Sequence, residues 1–174
     1  LGISSITEGT ACTVLKAYEH INNDNPLLIA NSDQLVNFDC GKIIDKCQNE
    51  NLDGLILTFT DPKRDPKWSF VRVDDNQIAI EVAEKVAISD KATVGLYYFK
   101  KGSDFVKGAI EMILNLDKTN NEYYVCPVYN YLIRKSLKIG ICDIKEEDMH
   151  GLGTPEDLKS YLEDNLLPKS QDEP

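Results

Sequence analysis

Apolar residues recur along this chain at two spacings, and the switches between them mark its elements. Ala11, Val14, Leu15, Tyr18 and Ile21 fall three and four residues apart, which predicts a helix over residues 10–22. Leu27 to Ala30 is a short run without polar interruption, the pattern of a strand inside a parallel sheet. A helix over 41–48 places Ile43, Ile44 and Cys47 on one side, and Leu55 to Phe59 reads as the next buried strand. The pattern then changes. Residues 68–73, 77–83 and 93–99 read as strands, the first two joined by a turn at Asp74-Asp75-Asn76. Helices are predicted over 103–114 and 124–133, the second with Pro127 in its first turn, and a strand over 137–144. A last helix opens at Thr154-Pro155-Glu156-Asp157. There Thr154 can cap, Pro155 takes the first helical position and Asp157 can close a capping box.

This order is α β α β, a cluster of β, then α α β α. It is the later part of a doubly wound α/β fold with a mixed β-sheet, the β cluster lying over one side of a pocket. Residues 1–167 read as one domain, and the polar stretch 168–174 as a flexible tail. The net charge of −10 opposes a phosphate backbone, so nucleic acid is excluded as a general partner, while a small phosphate ligand in a local pocket is not. Five cysteines without a CxxC pair suggest neither a disulfide framework nor a zinc site, and reduced thiols place the expected compartment in the cytoplasm. No apolar run has the length of a membrane span. Whether copies of the chain associate as a homo-oligomer is left open.

The abrupt end of the Leu27 to Ala30 run poses the chemical question. Asn31, Ser32 and Asp33 follow in succession, and ligands of open α/β sheets bind outside the carboxyl ends of strands. A carboxylate there can hold Mg²⁺, which keeps waters and bridges to substrate phosphates. Asn31 and Ser32 can bond the turn or a ligand hydroxyl. A plain turn also accounts for these three residue types.

The stretches EGTACTVLKA, PLLIANSDQL, EVAEK, KATVGLYYF and HGLGTPEDL occur in the order seen in sugar-phosphate nucleotidyltransferases. Over residues 8–163 the chain resembles the later two-thirds of that family's core, a Rossmann-like, GT-A-like fold. The resemblance implies an enzyme that joins a nucleoside triphosphate to a sugar phosphate and releases pyrophosphate, with Mg²⁺ as cofactor, for surface-polysaccharide precursors. It also implies the roles of individual residues. Gly9 matches the glycine that approaches the nucleobase, and Asp33 the Mg²⁺ ligand. Glu84 and Lys85 match the pair that meets the acceptor, Lys85 on its phosphate. Trp68 and Ser69 match an aromatic-small pair near the acceptor, and Thr93, Val94 and Gly95 the strand start against the sugar. Each has a plainer reading as well: a helix-entry glycine, a surface ion pair for Glu84 and Lys85, a hairpin cover for Trp68, core packing for Val94.

Two departures stand against the family pattern. Its Gly-rich N-terminal loop, which wraps the triphosphate, has no counterpart, and no GxGxxG or GxxxxGK occurs. The first strand of the sheet is absent with it, so further residues upstream are expected in the natural protein, and the chain alone is expected to be inactive. Position 151, where many members carry a second Mg²⁺-ligating aspartate, is glycine, and the adjacent His150 is a poor substitute because Mg²⁺ prefers oxygen. A cytidylyltransferase acting on a non-sugar phosphate such as phosphocholine, and a nucleotide-sugar-binding module without turnover, are the alternatives. A GT-A glycosyltransferase would show DxD where this chain has SDQ.

Overall fold

The computed structural model describes residues 2–165. The residues expected as a tail, 168–174, lie outside the described residues. The central sheet has six strands: β1 (Leu27–Ala30), β3 (Gly54–Thr60), β4 (Ser69–Val73), β5 (Ala79–Glu84), β6 (Lys91–Phe99) and β7 (Ile139–Asp143). The order β5-β4-β6-β3-β7 runs across it, and β1 also pairs with β6. A separate ribbon joins β2 (Gln34–Val36) to β8 (Met149–Gly151).

β3 explains why the sheet holds two cores. Its side chains alternate, and both faces are covered. Ile56 packs with Phe99, Phe105, Val128 and Tyr129 on the face carrying α1 (Thr10–Leu15), α4 (Gly102–Leu114) and α5 (Val128–Ile133). Leu55, Leu57 and Phe59 pack on the other face with Ile43 and Cys47 of α3 (Gly41–Asn49). The fully buried Tyr129 stacks on Phe99, and its hydroxyl donates toward Tyr98 O at 2.9 Å and Leu55 O at 3.2 Å. The helix therefore engages the sheet through both packing and polar contact.

Several expectations are corrected in detail. The helix over 10–22 is divided into α1 and α2 (Tyr18–Ile21). β1 is not a central parallel strand. Among the described residues its partner is the antiparallel β6, and Leu28 is 45% exposed while Leu27 and Ile29 pack inward. Four apolar residues in a row do not reveal which face is covered. The helix over 124–133 shortens to α5, with Pro127 at its N-cap. The turn at Asp74 forms as expected: its carboxylate accepts from the backbone N–H groups of Asn76 and Ile78, both at 2.9 Å. The last helix, α6 (Pro155–Asn165), begins after Thr154, whose hydroxyl accepts from Asp157 N at 3.1 Å.

β6 positions the site. Its far edge pairs with β3 along most of its length, but its near edge is shared end to end. β4 meets it at Ala92, and β1 takes over from Leu96. Between those pairings the strand bulges. β3 moves from Ile56 to Thr58 while β6 moves from Tyr97 to Thr93. Gly95 takes the bulge with φ of 71°, a conformation that glycine adopts without strain. The gap between β4 and β1 opens there.

Candidate functional site

A cavity of about 430 Å³ occupies this gap. Thr93, Gly95 and Tyr97 of β6, Ser69 and Glu84 from the β4–β5 hairpin, and Asp33 past the end of β1 all line it. Lys85 and Trp68 line it too. Seven of the residues singled out from the sequence by their resemblance, 62 residues apart at the extremes, thus share one cavity.

Asp33 is brought there by the small ribbon. Gln34 pairs with Gly151, and Leu152 N donates to Asp33 O at 2.8 Å, so the Asn-Ser-Asp and Gly-Leu-Gly-Thr segments lie side by side. A Cβ built on Gly153 would sit 3.0 Å from Asp33 Oδ2. The exposed Asp33 carboxylate has no hydrogen bond or ion pair among the described residues. Asn31 N donates to Gly95 O at 2.9 Å, which ties the strand end to the bulge.

The opposite wall is cationic and aromatic. Lys85 has a left-handed backbone, φ 58°, and its N–H bonds Trp68 O at 3.1 Å. Its ammonium donates to Tyr124 Oη at 3.0 Å and lies 4.9 Å from that ring's centroid. The Tyr124 hydroxyl, first among the causes, holds the Lys85 pKa above the ordinary lysine range, so the group is charged at neutral pH. Lys67 lies 4.7 Å over the Trp68 ring, which meets Phe59 edge-on. Trp68 thus lines the cavity and packs against the α3-side core. Lys67 and Tyr124 carried no motif and were not legible in the sequence.

The floor is polar and buried. The Ser69 hydroxyl bonds the Glu84 carboxylate, and Thr93 Oγ1 lies 3.0 Å from Tyr97 Oη. Burial is the leading cause that raises the Glu84 carboxyl above the ordinary range, with the Ser69 hydroxyl opposing it. Burial also pushes the Cys126 thiol far up, so this cavity-lining cysteine is no thiolate nucleophile.

Other named residues lie elsewhere. Gly9 does not line the cavity, although Thr10 beside it does. It has φ of 116°, and a Cβ there would come within 2.5 Å of Tyr123 O, so close backbone packing already requires glycine. Ser32 does not line the cavity either, and Val94 is buried in the α3-side core. His150 sits outside the cavity, edge-on to Tyr161. Among the described residues no three His, Cys, Asp or Glu side chains converge as a metal cage.

A family profile described as Nucleotidyl transferase matches residues 3–127. A nucleoside-diphosphate-sugar pyrophosphorylase from Vibrio cholerae RC9 is similar in structure, with a TM-score of 0.79 and 26% identity over 92% of this chain and 67% of that one. A UDP-glucose pyrophosphorylase complexed with UDP-glucose shares the fold, with a TM-score of 0.71 and 15% identity over 92% of this chain and 64% of that one. The chain thus spans about two thirds of the length of each. No curated protein matches it in sequence.

Proposed function

We propose a function from one premise: the chain belongs to the nucleotidyl transferase family, whose profile covers residues 3–127. The complete protein joins a nucleoside triphosphate to a sugar phosphate and releases pyrophosphate, supplying precursors for surface polysaccharide. The observation that carries this reading is the cavity's polarity. One wall presents the Asp33 carboxylate and the other presents Lys67 and Lys85, with buried hydroxyls and Glu84 between them.

Each part has a task in an in-line displacement at the α-phosphorus. Lys85, oriented by Tyr124 and by its strained backbone, holds the acceptor's phosphate so that an oxygen faces the nucleotide. Glu84, Ser69 and Thr93 offer hydrogen bonds to acceptor hydroxyls at the floor. Gly95, without a side chain, lets the sugar lie against β6. Gly9 and Ser32 act from outside the cavity, Gly9 by carrying Thr10 to the nucleotide side and Ser32 by shaping the turn that presents Asp33. A quaternary ammonium such as choline would meet Lys67 and Lys85 over the two aromatic rings, so a sugar is the better-matched acceptor.

Mg²⁺ fits the donor set. Asp33 gives a hard oxygen without a protein partner among the described residues, and Mg²⁺ takes one or two carboxylates with water and substrate phosphates completing its shell. When bound, the ion neutralises phosphate charge that would repel the incoming oxygen.

The test is incubation of the complete protein with each nucleoside triphosphate, Mg²⁺ and a panel of sugar phosphates, reading pyrophosphate. Release with at least one pair is expected, and Asp33→Asn is expected to lower kcat by about a hundredfold or more. A folded protein that releases none across the panel contradicts the proposal.

A further inference from the structure

Position 151 is glycine, and the structure shows what stands beside the missing side chain. A Cβ built on Gly151 would meet only Asp157, 3.8 Å from its Cγ and Oδ2. Asp33 approaches the same short segment two residues on, with Oδ2 3.0 Å from the corresponding point on Gly153. The two carboxylates therefore converge on Gly151–Gly153, one from the end of β1 and one from the first turn of α6, and both line the cavity.

We propose, resting on the metal-dependent reading above, that Asp157 supplies the second carboxylate of the site in place of the aspartate that position 151 lacks. The ordinary task of an acidic residue at this helical position is the reciprocal bond of a capping box, back to the N–H of residue 154. That bond is not made. Thr154 Oγ1 accepts from Asp157 N, but the Asp157 carboxylate has no hydrogen bond or ion pair among the described residues. It is turned toward the glycine segment and the cavity instead. The cavity's cations are engaged elsewhere: Lys85 by Tyr124, and Lys67 3.7 Å from Asp65. Two carboxylates suit a hard divalent ion that completes its shell with water and phosphate. The glycines at 151 and 153 leave the room between them that a side chain would otherwise fill.

The test is Mn²⁺ binding by the complete protein in the presence of inorganic pyrophosphate, read from the electron paramagnetic resonance signal of free Mn²⁺, well below each variant's melting temperature. Asp157→Asn is expected to weaken binding by about tenfold or more. Gly151→Asp combined with Asp157→Asn is expected to restore it, because a Cβ at 151 meets nothing nearer than 3.8 Å. Unchanged binding in Asp157→Asn together with a loss in Asp33→Asn overturns this proposal and leaves the proposed function standing. Unchanged binding in both variants overturns the two together. A loss in Asp157→Asn that Gly151→Asp fails to restore shows that Asp157 acts only by seating α6, and it also overturns the proposal.

Discussion

At position 85 a lysine holds a backbone conformation that costs a residue with a side chain about 1 kcal/mol or more, and it does so beside the cavity. Lys85→Gln keeps the reach and removes the charge. The acceptor KM is expected to rise about tenfold or more while the nucleotide KM stays within about twofold, measured by steady-state pyrophosphate release. One residue earlier, Glu84 is 8% exposed, and burial holds its carboxyl above the ordinary range. A carboxyl whose pKa is higher folded than unfolded binds more protons when folded. Its contribution to stability therefore falls as pH rises from the unfolded value toward the folded one. Glu84→Gln is expected to melt higher than the parent above that window and to lose the advantage below it, a comparison made by thermal melts from about pH 4 to about pH 8. A melting difference that does not change with pH contradicts it. Gly95→Ala would drive a methyl group into the Asn31 side-chain amide and to 2.5 Å from Gln34 Oε1, at φ 71°. A loss of about 1–3 kcal/mol in urea unfolding is expected. Gly95 was legible as a candidate site position only through the family resemblance, and the bulge it occupies became visible with the fold. The value of Lys67 was not, since an isolated surface lysine has no pattern and its place over Trp68 depends on the fold.

Elements account for how these residues are held. On the outer edge of β5 a side chain takes a neighbouring strand's place at one residue: Asn130 of α5 accepts from Val82 N at 2.9 Å and donates to Val82 O at 2.8 Å. Asn130→Ala leaves both groups of a buried residue unpaired, and a loss of about 1–3 kcal/mol is expected in urea unfolding. Because β5 runs into Glu84 and Lys85, the same variant is expected to raise the acceptor KM. An unchanged KM would mean that the strand end is held by β4 alone. Strands and helices with strong periodicity, such as β3, β6, α3 and α4, were readable from the sequence with their ends near where they lie. β2 and β8 were not. They are three residues each, half-buried, and they form only because a distant segment supplies the partner. Yet this ribbon is what sets Asp33 beside Gly151.

On the scale of the whole molecule, the pocket is a consequence of how six strands are arranged. β4 and β1 share one edge of β6 end to end, and the space between them is the cavity. Sequence order predicts an α/β sheet with a β-rich section, but not which strand carries the bulge or which edge is divided. The chain's net charge of −10 likewise hides a wall where two lysines meet one cavity. Among the described residues no helix is long and apolar enough to cross a membrane. The claim on which the account depends is nucleotidyl transfer at the α-phosphorus. It is tested most directly by giving the complete protein a nucleoside triphosphate labelled at that phosphorus together with a sugar phosphate, and following the label. The account predicts label in a diphosphate-linked nucleotide sugar with unlabelled pyrophosphate released, and almost none transferred by Asp33→Asn. Label recovered as nucleoside diphosphate, with the γ-phosphate moved instead, would contradict it.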